Sequence, residues 1–187
     1  MMRSNHSISD RDSRSDARYG LIGVAIIPVG ILIVLSLMGR VWWCQAGDLR
    51  PWSWDVWSQH NSQHLVDPYS LSHVQHGIGL YLLLTALSRR WLAVHARILI
   101  VALVEATWEI VENTNWMIER YREATISLDY HGDSILNSLG DYGTCLVGVL
   151  LARRLPWWAS AGLFAGLELV SIWWIRDSLL LNVLMLV

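Results

Sequence analysis

Residues 20–39, "GLIGVAIIPVGILIVLSLMG", run for twenty positions without a charged side chain. A helix of that length crosses the ~30 Å of a bilayer's hydrocarbon core. Backbone polar groups in hydrocarbon must be satisfied within the segment, so a chain built from such runs is confined to membrane helices. Further apolar runs cover about 71–88, 97–119, 133–152 and 157–175. Charged residues make up 16% of the chain and mean hydropathy is +0.35, against roughly a quarter charged in a soluble domain. The pattern predicts an all-α, polytopic membrane helix bundle of about five transmembrane helices. Residues 20–187 form a single integral membrane domain, and the polar residues 1–19 form a disordered cytoplasmic tail. A cleaved signal peptide is the rival reading of 20–39. The run is longer than a signal peptide's apolar region and no small-residue cleavage pattern follows it. The last ten residues, "SLLLNVLMLV", are apolar but too short to span, which predicts an interfacial or half-inserted helix.

Arginine placement orients the bundle. With the N-terminus inside, nine Arg fall on that side, including Arg89, Arg90, Arg97, Arg153 and Arg154, against five on the other. Positive charge marks the cytoplasmic side. The chain is therefore expected in a bacterial inner (cell) membrane, multi-pass, with its N-terminus cytoplasmic and loops 40–70 and 120–132 outside. The first of these loops carries Trp42, Trp43, Trp52, Trp54 and Trp57, which suits an interfacial belt that anchors the loop at headgroup level. Cys44 and Cys145 form no C-x-x-C pattern, which argues against a disulfide framework. No basic patch with interleaved aromatics appears, so nucleic acid is set aside as a partner.

The third run then breaks the hydrocarbon rule. "EATWEIVENTNW", residues 105–116, follows directly on "RILIVALV", and five of the six Glu lie between Glu105 and Glu123. On a helix at about 100° per residue, Glu105, Glu109, Glu112, Trp116 and Glu119 form one stripe, flanked by Asn113 and Asn115, with Ile110, Val111, Met117 and Ile118 behind. Asp133, Asn137 and Asp141 share a face of the fourth run with Gly140, Thr144 and Gly148. His73 and His76 pair at i, i+3 on the second. All three faces fall at one depth, the outer half of the bilayer. Each ionisable group in hydrocarbon costs about 2.5–3.5 kcal/mol, so the groups must line a wet cavity, pair with one another or bind a cation. Arg120 and Arg122 are available to neutralise some of them.

Two readings follow. In one, Glu109, Glu112, Asp133, Asn137, Asp141, His73 and His76 are catalytic candidates in an intramembrane site acting on a lipid or envelope precursor, with carboxylates as general acid and base. Ser134 or Ser138 offers a nucleophile, but no base stands at a recognisable spacing. In the other, the protein is a small transporter or assembly factor and the cluster only fixes helix packing. A carrier of five spans would be expected to oligomerise. A divalent metal is compatible with His73, His76, Glu112 and Asp141 as ligands, in the manner of metal-binding bundles. No H-E-x-x-H or E-x-x-H is present, and nitrogen ligands at this level are limited to His73, His76 and His131. Glu168, alone in the fifth run, is expected to be buried and either protonated or paired.

The strings "HVQHG", "EATWEIVENT" and "ERYREATISLDYHGDSILNSLGD" resemble the signatures of uncharacterised protein family three-one-four, a bacterial multi-pass inner-membrane domain of unknown function. The likeness is close over about 70–155 and implies the membrane bundle without assigning an activity. A looser resemblance is to VanZ-like membrane proteins. These carry a helix-start His, a Glu on another helix, then an Arg followed by D-x-x-x-N-x-x-G. The matching positions are His73 or His76, Glu105 to Glu112, Arg122, and Asp133, Asn137 and Gly140 of "DSILNSLG". That resemblance implies chemistry at the cell envelope.

Overall fold

The computed structural model describes residues 4–88, 91–124 and 130–186. Among them the chain is helical: α1 (Ser4–Leu37), α2 (Ser70–Ser88), α3 (Val94–Glu112), α4 (Asn115–Ala124), α5 (Ile135–Arg154), α6 (Trp157–Ile175) and α7 (Leu179–Leu186). Among the described residues three segments are long and apolar enough to cross a membrane: Arg18–Leu37 of α1, α5 and α6. α2 and α3 are of similar length. His73, Gln75 and His76 dilute the hydropathy of α2, and Arg97, Glu105, Glu109 and Glu112 that of α3. These helices turn polar groups inward and apolar groups outward. Gln75, Glu105 and Glu109 are buried, while Leu83, Leu87, Leu103 and Val104 are exposed. That distribution is what hydrocarbon as solvent selects.

α2 and α5 form the tightest pair, because glycine lets their backbones touch. A Cβ on Gly77 would collide with the Cys145 carbonyl, and one on Gly148 with the Val74 carbonyl. Small residues at a crossing are how membrane helices approach closely. α1 lies along α3, with Gly20 against His95 and Gly23 against Leu99, and Tyr142 Oη donates to the Val24 carbonyl at 2.7 Å. α6 docks on α2 through Gln75, whose Nε2 donates to Glu168 Oε2 at 2.8 Å. Glu168 is thus paired, and its Oε1 also accepts the Leu180 N–H at 3.1 Å.

Several boundaries differ from the sequence pattern. Residues 4–19 continue α1 instead of forming a disordered tail; once a span has nucleated a helix, extending it is inexpensive. Residues 1–3 and Arg89 and Arg90, which enter the arginine count, lie outside the described residues. The expected third span, 97–119, is broken at Asn113 and Thr114. Asn113 Nδ2 donates to the Glu109 carbonyl, to Asp133 Oδ2 and to Ser138 Oγ. Thr114 Oγ1 donates to the Val111 carbonyl and accepts the Met117 N–H, capping α4. Such side-chain bonds compete with the helix ladder. Trp116 and Glu119 therefore leave the stripe and are exposed. α5 begins at Ile135 with Ser134 as its cap, accepting the Asn137 N–H at 3.1 Å, so Asp133 lies in the preceding loop. The C-terminal apolar stretch forms α7, which crosses α4 where Arg120 Nη2 donates to the Met185 carbonyl at 3.1 Å.

Candidate functional site

Between α2, α3 and α5 lies a buried cluster centred on His73. Its Nδ1 is 2.6 Å from Glu105 Oε1, and His76 Nδ1 is 3.0 Å from Glu105 Oε2. One carboxylate thus holds both imidazoles of the i, i+3 pair, and a carboxylate that only accepts places a proton on each Nδ1. His73 Nε2 faces Asp141 Oδ2 at 3.9 Å. Asp141 in turn accepts the Ser70 hydroxyl at 2.7 Å. Asp133 closes the cluster from its loop. It accepts Tyr130 Oη at 2.8 Å and Asn113 Nδ2 at 2.9 Å, while its own N–H donates to Asn113 Oδ1.

Glu109 differs from these groups. It is fully buried, yet neither carboxylate oxygen has a hydrogen-bond partner among the described residues. Its Oε1 lies 3.3 Å from His73 Nδ1, but that nitrogen bonds to Glu105. Glu112 Oε2 is likewise unpartnered. Buried polar atoms are rarely left so, because each costs about 1–3 kcal/mol. Donor atoms of His73, His76 and Glu105, and separately of His73, Glu109 and Glu112, lie within 4.8 Å of one another. Beside the cluster opens a cavity of about 280 Å³. Its lining includes His73, His76, Glu105, Glu112, Asp133 and Asp141 together with Leu80, Val104, Trp108, Leu179 and Val183.

The structure brings together His73, His76, Glu109, Glu112, Asp133 and Asp141. It does not bring in Asn137, whose Nδ2 donates to the His64 carbonyl at 2.7 Å and clamps the loop before α2. Of the proposed metal set, Asp141 belongs to neither close donor group. Ser134 donates to the Gln63 carbonyl and Ser138 accepts from Asn113, so neither is poised as a nucleophile. Arg120 and Arg122 do not neutralise the acids. Arg122 bonds the Tyr130 carbonyl and His131, which also keeps His131 out of the cluster. Glu105 is the organising residue, and its place in the Glu stripe was the signal for it.

Two acids beyond the spans extend the site. Asp67 precedes α2 and accepts the N–H groups of Tyr69, Ser70 and Ser62. Burial raises its carboxyl to about 6, and Asp133 pushes the same way, with His73 and the backbone bonds opposing. Asp177 lines the cavity from the α6–α7 turn; burial raises it too, against bonds from Ser178 and Tyr69.

A family described as protein of unknown function, DUF2585, matches residues 35–187, which include every residue of this cluster. The chain belongs to the DUF2585 family. Its relatives include a UPF0314 protein of Rhizobium meliloti, 46% identical over 180 residues, covering 95% of this chain and 89% of the relative. A UPF0314 protein of Paracoccus denitrificans is 45% identical over 161 residues, 83% of each chain. One of Sphingopyxis alaskensis is 40% identical over 175 residues, covering 91% and 90%. The looser VanZ-like likeness finds no support among these DUF2585 relatives. No solved structure matches the chain.

Proposed function

We propose that this chain is a bacterial inner-membrane protein with a cytoplasmic N-terminus, and that its His–carboxylate cluster acts on an amphiphile, a lipid or envelope precursor, in the outer half of the bilayer. The observation that carries this reading is the mixed lining of the cavity. Its acids and imidazoles suit a head group and its apolar residues suit a chain. Val104 and Val183, both in the lining, are 45% and 51% exposed. In this reading the cavity opens beside these two residues, between α3 and α7, where lipid would lie. Pockets of this kind, apolar with a few convergent polar groups, are the usual form of small-molecule sites.

In this reading Glu105 positions both imidazoles, leaving His73 Nε2 to exchange a proton with the head group. The unpartnered oxygens of Glu109 and Glu112 accept hydrogen bonds from its hydroxyl or amine groups. The excess of carboxylates favours a donor-rich head group over a bare anion. A second reading rests on the close donor sets around His73: a divalent cation held there would satisfy the same oxygens, and imidazole with carboxylate suits such ions. The test is purification in mild detergent, followed by lipid mass spectrometry and metal analysis. The parent is expected to retain one amphiphile class above the bulk membrane lipids, and Val183→Trp, which fills the lateral opening, to lose it. Bulk lipid composition in both proteins would contradict the proposal, and stoichiometric metal that His73→Gln removes, without enriched lipid, would favour the second reading.

A further inference from the structure

A second set of donor atoms lies in the loop between α1 and α2, apart from the cluster above. Cys44 Sγ is 3.2 Å from His60 Nδ1, and His60 Nδ1 is 3.2 Å from His64 Nε2. All three atoms fall within 4.8 Å of one another. Cys44 is buried and His64 completely so. His64 Nδ1 sits 2.5 Å from the Arg50 carbonyl oxygen. A carbonyl only accepts, so Nδ1 carries the proton and Nε2 presents a lone pair to His60 and Cys44. Metal-ligating imidazoles are held in this way, with the remote N–H on a backbone carbonyl. The ring is fixed further by the edge of Trp43, centroids 5.4 Å apart, and its backbone by Asn137.

We propose that Cys44, His60 and His64 bind one zinc-class divalent cation. Ligand atoms at the usual zinc distances from a tetrahedral ion lie roughly 3.3–3.6 Å apart, within a few tenths of an ångström of the 3.2 Å separations here. One thiolate and two imidazoles form a borderline-soft set that prefers zinc, cobalt or copper to magnesium or calcium. Three protein ligands leave the fourth position to water. The ion ties residue 44 to residues 60 and 64 and so fixes the loop over the start of α5. There Ser134 N–H bonds the Ser62 carbonyl and Ser134 Oγ the Gln63 carbonyl, and Ser62 and Tyr69 reach the membrane cavity. The site stands whether or not that cavity takes an amphiphile.

The test is a Co2+ titration of the full-length, chelator-stripped protein in detergent. The expected result is one Co2+ per chain with thiolate-to-cobalt charge-transfer absorption, displaced by Zn2+. Cys44→Ser should abolish that absorption. His60→Gln should weaken binding by at least the ~10-fold typical of losing even an outer-shell partner. Cys145→Ser, which alters the other thiol, should keep the absorption. A parent without the thiolate absorption overturns the proposal, and so does absorption that survives Cys44→Ser or vanishes in Cys145→Ser. The parent titration stands on its own if a variant fails to fold.

Discussion

Asp67 holds a carboxyl where water scarcely reaches, 2% exposed, and its pKa is raised from 3.8 to about 6. In the unfolded chain it ionises near its ordinary value. Between the two values the folded state binds a proton that the unfolded state does not, so this contribution is full below the lower value and is lost as pH rises through about 6. The slope is up to about 1.4 kcal/mol per pH unit. The melting temperature of the parent in detergent should therefore fall between about pH 4.5 and about pH 6.5, and fall less in Asp67→Asn. An equal fall in both proteins would place the titration elsewhere. The same local chemistry separates Glu105, with both oxygens bonded, from Glu109, one turn away and with neither.

At the scale of the helices, the α2–α5 crossing depends on the absence of two side chains. Gly148→Ala places a methyl group against the Val74 carbonyl and should destabilise by about 1–3 kcal/mol, as overpacking does. Gly143 lies on the same helix with open space around its missing Cβ, and Gly143→Ala should be neutral or stabilise by about 0.5–1 kcal/mol. Thermal unfolding of the two variants checks this, and equal effects would contradict the crossing. The helices themselves were largely legible. Runs of 71–88, 133–152 and 157–175 became helices at 70–88, 135–154 and 157–175, because hydrocarbon-length apolar runs leave the backbone little choice. The break after Glu112 was not legible, because the groups that bind the side chain of its C-cap Asn113, Asp133 and Ser138, are 20 and 25 residues away. Asn137 sat on the expected face, but its partner is the His64 carbonyl 73 residues earlier. His60 and His64 stand at i, i+4 but in a polar loop, and Cys44 is 16 residues before His60, so their convergence comes only from the folded loop.

Taken whole, the molecule is a bundle with its apolar surface outward and an acid-rich centre, and the question is whether that centre binds a ligand or holds helices together. Melting of two isosteric variants separates the answers. In Glu105→Gln the amide nitrogen cannot accept from an imidazole N–H, so a buried charged network is broken, at about 3–5 kcal/mol. Among the described residues Glu109 makes no hydrogen bond that glutamine would lose, and residues kept for function rather than stability can be replaced with no stability cost or a gain. The most direct measurement is the thermal stability of ligand-stripped Glu109→Gln beside Glu105→Gln in the same detergent. A ligand site predicts a melting temperature for Glu109→Gln at or above the parent, with Glu105→Gln well below. Destabilisation of Glu109→Gln comparable to that of Glu105→Gln would contradict the site and make the cluster helix packing.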